Sequence, residues 1–434
     1  MASHDIIFFG DSAPVLCVAA YAGALGLDVG LIASGALPSA YQSELMPPIP
    51  NTVWRKLDLQ DDKLVVSEAL ARVTLHQGHS AVATAMDVDE AAASIMDRNE
   101  DDGRVWPDFQ AQMALSVKSG AFQSLSVHGT KSNGHGPSGL VDYAPLAMSC
   151  SDVLDDYFDD EALKAHLAAH AMASGMGCAE AGSMIQLQSM VSALNAPVRL
   201  EQGAKNWRAL FKKKCSQFDV QVYDGDSAVI EAPNGRRRVI TLNDGSSVSG
   251  KCLFFVTGEV ANAFGVSRCT LGHTAFGIET ATASVRLRLR SRIDALEEND
   301  TAIFQISHGR EQLQHARDQA LTGRLPEHPP VEFEFLSNGD ILARSRYFPK
   351  LIADGDSVRT WSGQDKQVAG TRIRHELEAV LPSLREVIAR MDVKISTNAT
   401  KDRALACERM IIQLSSFNAV AQSVALVDQV HADG

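Results

Sequence analysis

The opening stretch constrains the fold more than any other feature. Ile6-Ile7-Phe8-Phe9 is an unbroken apolar run ending at Gly10, the pattern of a strand buried on both faces of a parallel sheet. Asp11-Ser12-Ala13-Pro14 reads as a turn. Residues 15–25 read as a helix of small apolar side chains with Gly26 behind it. Residues 28–32 read as a second strand, closed by Ala33-Ser34-Gly35. Strand, turn, helix and strand in so short a span make a βαβ unit of the kind that opens Rossmann-type dinucleotide domains.

The chemistry expected of that unit is only partly present. Dinucleotide binding uses three glycines after the first strand: one for the tight turn, one to let backbone approach the pyrophosphate, and one for close helix–strand packing. Gly10 fills the first place, Ser12 stands at the second and Val15 at the third. Side chains at the last two are expected to hold a pyrophosphate away from the helix N-terminus, which otherwise favours anions. The second strand is expected to end in an acid that binds the ribose hydroxyls. That place falls near Ala33, and the closest carboxylate, Asp28, lies at the opposite end of the strand.

Beyond this unit, helical periodicity marks residues 87–99, 151–167 (acidic at its start), 184–194 and 204–215. Residues 368–391 read as an amphipathic stretch that Pro382 divides into two helices. Strand patterns fall at 219–223, 228–232, 238–242, 253–257, 283–289, 302–306, 331–335 and 341–346. With hairpin signals at Asn234-Gly235 and Asp244-Gly245, residues 219–257 are expected to form a β-meander, followed by a mixed sheet. Residues 117–139, rich in Ser, Gly and His, read as a long loop.

Composition narrows the function classes. With 40 Lys+Arg against 53 Asp+Glu the net charge is −13, which disfavours nucleic acid and anionic membrane surfaces. The apolar run 15–27 is interrupted by Gly23 and Gly26 and falls short of the ~18–20 residues of a bilayer span. No transmembrane segment and no secretory signal are expected, and the location expected is cytoplasmic. Seven scattered cysteines without a Cys-x-x-Cys pair read as isolated reduced core thiols.

Several segments, taken in order, resemble phytoene-dehydrogenase-like FAD-dependent oxidoreductases, a branch of the flavin amine-oxidase superfamily. They are residues 5–31; residues 88–96 with Trp106-Pro107-Asp108-Phe109; residues 153–158 with 163–167; residues 203–211; Leu242-Asn243-Asp244-Gly245-Ser246 leading to 253–257; and residues 304–320 with Gly323-Arg324-Leu325-Pro326. The resemblance implies an α/β fold in two discontinuous parts. A Rossmann-like, FAD-binding-type domain would be built from residues 1–85, 195–270 and 366–434. A substrate-type domain with a mixed sheet and covering helices would be built from 86–194 and 271–365. If FAD is bound, Gly10, Asp11, Ser12, Ala13 and Ser34 are the residues that would line it.

The departures from the family pattern fall at the flavin contacts. Ser12, Val15 and Ala33 replace two glycines and an acid, and no Gly occurs between Gly370 and Gly434, where relatives carry a Gly-rich turn near the flavin. The expected function is therefore a flavoprotein-like subunit, a pseudoenzyme that has lost conventional FAD binding. It would act as a non-catalytic partner, assembly or maturation protein, with an intact flavoprotein paralogue as partner. Rab GDP dissociation inhibitors, which resemble the same superfamily fold, are a precedent in kind. The alternative is a FAD-dependent oxidoreductase of dehydrogenase, desaturase or amine-oxidase type acting on a hydrophobic or amine substrate. A third reading is a binding protein for an apolar small molecule.

Other motifs carry blander readings. His166 and His170, four apart on a helix, could face one metal, but no Glu or third ligand accompanies them in an HExxH pattern, and a structural or surface role is expected. His76, His79, His128 and His135 fit no familiar zinc spacing, so no metal is expected. Cys178, in Gly175-Met176-Gly177-Cys178, is expected to be a buried thiol rather than a nucleophile. Residues 245–251 have phosphate-loop spacing, yet a strand follows at once, which favours a hairpin. The alternation Arg286-Leu287-Arg288-Leu289-Arg290 reads as a strand with one charged, exposed face.

Overall fold

The computed structural model describes residues 2–33, 49, 51–59, 66–68, 71–75, 82–85, 87–118, 148–172, 175–192, 198–200, 205–225, 229–230, 238–255, 268–271, 274–277, 280–291, 293, 303–336, 338–396, 410–412, 424, 427–428 and 431. Two large sheets organise them. Their strands, in chain order, are β1 (Ala2–Phe9), β2 (Val29–Ala33), β3 (Ala71–Leu75), β4 (Val82–Ala85), β5 (Gln221–Asp224), β6 (Val229–Ile230), β7 (Arg238–Thr241), β8 (Ser247–Phe255), β9 (Thr280–Leu289), β10 (Ile303–Ile306), β11 (Val331–Phe335), β12 (Ile341–Pro349), β13 (Ile388–Ser396) and β14 (Met410–Ile412). The helices are α1 (Ala13–Ala24), α2 (Asn51–Lys56), α3 (Val88–Met96), α4 (Glu100–Lys118), α5 (Cys150–Tyr157), α6 (Glu161–Ala171), α7 (Met184–Ser192), α8 (Lys205–Gln217), α9 (Arg310–Leu321), α10 (Gly363–Val380) and α11 (Leu384–Val387).

The first sheet has the order β5-β2-β1-β8-β7-β6, with β14 also pairing β8. The central strand β1 runs parallel to both β2 and β8. Its residues Ile6 to Phe9 are fully buried, which explains why that segment shows no polar alternation. Helix α1 buries every residue from Val15 to Ala22, so it too is apolar all round. Trp207, Phe211 and Cys215 of α8 pack into the same core, as do Val424 and Val427. The Tyr21 hydroxyl donates to Asp428 Oδ1 at 2.7 Å.

The second sheet has the order β13-β9-β12-β11-β10-β3-β4 and is antiparallel except where β3 runs parallel to β10. On one face α10 buries Ala369, Ile373 and Leu377 against Val285, Leu287, Phe304 and Phe333. A separate helical cluster contains Trp106, Phe109, Phe158, Leu167 and Leu313 together with Tyr347 of β12. The Tyr347 hydroxyl donates to the carbonyls of Met172 and Met176, at 2.7 and 3.0 Å. The neighbouring Phe348 joins the α10 core instead, as strand alternation requires. A Rossmann-like parallel sheet and a mixed sheet with covering helices are both present, as the sequence implies.

Four details differ from the sequence reading. First, β5 does not continue into the hairpin strands; it pairs parallel to β2 at the opposite edge. Only β6, β7 and β8 form an antiparallel meander. Second, residues 388–391 are strand, not helix. Helix α10 stops at Val380, just before Pro382, whose ring excludes a continuous helix. Beyond it, Met391, Val393 and Ile395 alternate with charged residues and pair with β9. Third, 151–167 is two helices. The Asp102 carboxylate accepts the Asp159 and Asp160 N–H groups, and the Asp160 side chain caps α6. Fourth, β3, β4 and β13 belong to the second sheet, so sheet membership cuts the chain differently from the segments 1–85 and 366–434.

Candidate functional site

The β1–α1 turn is built as the sequence suggests at its first position. Gly10 adopts φ +99°, a conformation side chains resist, and its N–H donates to the Ile32 carbonyl at 2.9 Å. Ser12 is the N-cap of α1 in extended backbone, with Pro following in the first turn. Its hydroxyl does not cap the helix; Ser12 Oγ is buried without a hydrogen-bond partner. Val15 is fully buried, so the side chain at the third glycine place packs into the core.

A residue that sequence reasoning missed completes the turn. Asp11 forms an ion pair with Arg208 of α8. The Nε of Arg208 is buried without a partner, and burial lowers its affinity for a proton. Burial, and the Arg208 charge, do the same to Lys212 one turn along. Lys205–Gln217 is legible in sequence as a basic helix, but its approach to residue 11 depends on a long-range packing of α8 on α1 through Cys215, whose thiol donates to the Leu16 carbonyl.

At the far end of β2, Ala33 offers only a methyl group, and its carbonyl accepts the Gly225 N–H at 2.8 Å. Register places Asp224 of β5 opposite Ala33, so a carboxylate stands one strand over from the expected position. Asp28 is committed elsewhere. It bonds His4 Nδ1 at 2.7 Å, and His4 Nε2 meets the Tyr223 hydroxyl at 2.8 Å. This trio ties β1, the start of β2 and β5 together. Ser34 lies outside the described residues, as do His76, His79, His128, His135 and most of residues 117–139.

The remaining sequence candidates resolve into structural roles. His166 and His170 do face each other, with ring centroids 4.8 Å apart. Both His166 nitrogens are taken by threonine hydroxyls, Thr74 at 2.8 Å and Thr84 at 2.9 Å, which locks α6 onto β3 and β4. Burial holds His170 well below the usual imidazole range, so it stays neutral. Cys178 is buried, its thiol donates to the Arg310 carbonyl, and burial pushes its pKa up, which removes thiolate character. Residues 242–246 form the hairpin turn, and Lys251 pairs with Asp5 from strand β8. Arg286 pairs with Asp340 in the β11–β12 turn, and Arg288 pairs with Asp392 on β13. Among the described residues the five cysteines with described side chains are buried and form no disulfide, and no helix is long and apolar enough to cross a membrane.

No protein-family model and no curated protein matches the sequence. Solved structures do. A triple mutant of putrescine oxidase superposes with a TM-score of 0.51 at 10% identity, covering 100% of both chains. The wild-type putrescine oxidase bound to putrescine gives a TM-score of 0.51 at 10% identity over 99% of each chain. At such identities the likeness shows the fold alone: the mixed α/β architecture matches that of these flavoprotein oxidoreductase neighbours.

Proposed function

We propose that the chain is a phytoene-dehydrogenase-like member of this fold that has given up conventional FAD binding and serves as a non-catalytic partner, assembly or maturation subunit of an intact flavoprotein. The observation that carries the reading is the Asp11–Arg208 ion pair across the β1–α1 turn. A pyrophosphate needs the N-terminal donors of the first helix to itself. Here a carboxylate precedes the N-cap, and the cation that could offset a phosphate is committed to that carboxylate. The Ser12 side chain, the buried Val15 and the Ala33 methyl add to the mismatch. The residues present do not fit the adenosine diphosphate half of FAD.

The decisive experiment is the visible spectrum of the purified protein, followed by denaturation and assay of the supernatant. The expected result is a colourless protein that does not take up added FAD and that co-purifies with an intact paralogue. Flavin absorption with roughly one flavin released per chain overturns the reading.

A second reading, a FAD-dependent oxidoreductase acting on a hydrophobic or amine substrate, draws on a different observation. Gly10 keeps its positive φ, and Ser12 Oγ and Arg208 Nε are buried donors without partners at the same turn. Asp224, level with Ala33, supplies a carboxylate near the ribose position. If this reading holds, Ser12→Ala and Asp224→Asn each weaken flavin retention, read as flavin released on dilution.

A further inference from the structure

The second sheet carries a side-chain cluster unrelated to the cofactor turn. His308 lies between β10 and α9, His328 lies in the connection from α9 to β11, and Glu376 sits on α10. His308 Nε2 is 2.6 Å from one Glu376 oxygen, and His328 Nδ1 is 2.9 Å from the other. The three ligand atoms all lie within 4.8 Å of one another. Glu376 is 2% exposed, His308 31% and His328 54%, so a buried carboxylate faces water across two imidazoles.

The segments that carry these groups are fixed by bonds to their backbone. Arg372, one helical turn before Glu376, donates from its Nη1 to the carbonyls of Leu325 and Pro326, at 2.6 and 2.7 Å. Gln312 Nε2 donates to the His328 carbonyl at 3.2 Å. Pro329 and Pro330 are buried just beyond. On the other side, the Gly309 N–H donates to Ser307 Oγ. Helix α10, the α9–β11 connection and the β10–α9 turn therefore present their ligands from a packed frame.

The Glu376 carboxylate is withdrawn from water, and a ring proton or a bound cation between it and the two imidazoles offsets its charge. Two ring nitrogens and a carboxylate oxygen are the ligand set of three-ligand zinc sites, with one position left for water. Tetrahedral bonds of about 2.0–2.1 Å put ligand atoms roughly 3.4 Å apart. The ligand atoms, within 4.8 Å of one another, would have to draw together, and His328 is the most exposed of the three side chains. Magnesium and calcium want oxygen ligands and are excluded by the imidazoles. A metal would take the place of the two protons now shared with Glu376. A neutral ring moves its proton to the opposite nitrogen, Nδ1 of His308 or Nε2 of His328, and a protonated ring also releases one proton to water.

We propose that His308, His328 and Glu376 form a binding site for one divalent transition-metal ion of the zinc class, with an open, solvent-facing fourth position. The site is independent of flavin: a colourless protein and a yellow one bind the ion alike.

The test is calorimetric titration of chelator-treated full-length protein with Zn²⁺, repeated with Co²⁺ while recording its visible bands. Expected are one equivalent bound with Kd of about 1 µM or tighter and the intense bands of four-coordinate cobalt. His328→Ala, on an exposed ring, weakens binding by at least ~100-fold and abolishes those bands without lowering the metal-free melting temperature. Glu376→Gln weakens binding as well. Arg372→Ala, a positioning change, weakens it about 10-fold. Absence of saturable binding at protein concentrations well above that Kd overturns the proposal. So does one-equivalent binding that survives His328→Ala unchanged, since the ion then resides elsewhere.

Discussion

At the scale of single residues, several donors converge on individual charges. Asp365 is the clearest. The Arg359 guanidinium beside it, with the Ser362 hydroxyl and N–H, holds its carboxyl well below the usual carboxylate range, against the opposing effect of burial. The same contacts form a capping box at the start of α10. A folded pKa below the unfolded one means the contribution is complete above the unfolded value of about 3.9 and fades as pH falls through the folded value. Asp365→Asn is expected to flatten the acid limb of stability below about pH 4, and Ser362→Ala to cost about 1 kcal/mol at neutral pH. Urea titrations at a series of pH values measure both. At the cofactor turn, Arg208→Ala leaves the largely buried Asp11 without its cation. The expected loss is about 1–3 kcal/mol, restored in part by Asp11→Asn in the same chain. Ser12, Val15 and Ala33 were legible as departures because glycine and acid positions are fixed by spacing from the first strand. Arg208 was not, because nothing local relates residue 208 to residue 11. His308, His328 and Glu376 were equally hidden, being drawn from three segments joined only by tertiary packing.

At the scale of elements, periodicity identified what was locally self-consistent and failed where two elements abut without a gap. Residues 384–396 pass from one helical turn directly into β13, and the apolar residues of both phases merge into a single amphipathic run. Pro382 was the informative signal: it ended α10, and the helix behind it, α11, is a single turn that gives way at once to β13. Partner choice was also invisible. The segment around residue 221 reads as a strand, yet its parallel pairing with β2 rather than with the nearby hairpin is decided by the sheet. The contact between α10 and β13 is tight enough to test. A Cβ at Gly370 would meet Val393 Cγ2 at 2.4 Å. Alanine is favoured over glycine by about 1 kcal/mol in an exposed helix. Here overpacking reverses the sign, and Gly370→Ala is expected to destabilise by about 1–3 kcal/mol. Adding Val393→Ala to Gly370→Ala relieves the clash, so the two changes are expected to be non-additive in a double-mutant cycle.

At the scale of the whole molecule, the likeness to putrescine oxidase spans the full chain although sequence identity is 10%. What persists is the arrangement of two sheets and the apolar patterning that buries them, and that much was readable from strand and helix patterns in order. The chemistry grafted on the frame is a separate question, and two measurements bear on it independently: the visible spectrum for the flavin turn, and zinc titration for the cluster on the second sheet. Zinc is further expected to raise the melting temperature in proportion to the logarithm of its concentration above Kd, an increase lost in His328→Ala.

The first sheet joins chain positions that emerge far apart in time during synthesis. Its central strand pairs with residues 248–255, and the second half of that partner pairs in turn with residues 410–412. The apolar β1 is therefore made long before β8, one of its two partners, while β2 follows it closely. Such non-local pairing slows folding and leaves sticky edges exposed meanwhile. Cellular yield of this protein should accordingly hinge on chaperone supply and growth temperature more than on any single contact in the finished molecule.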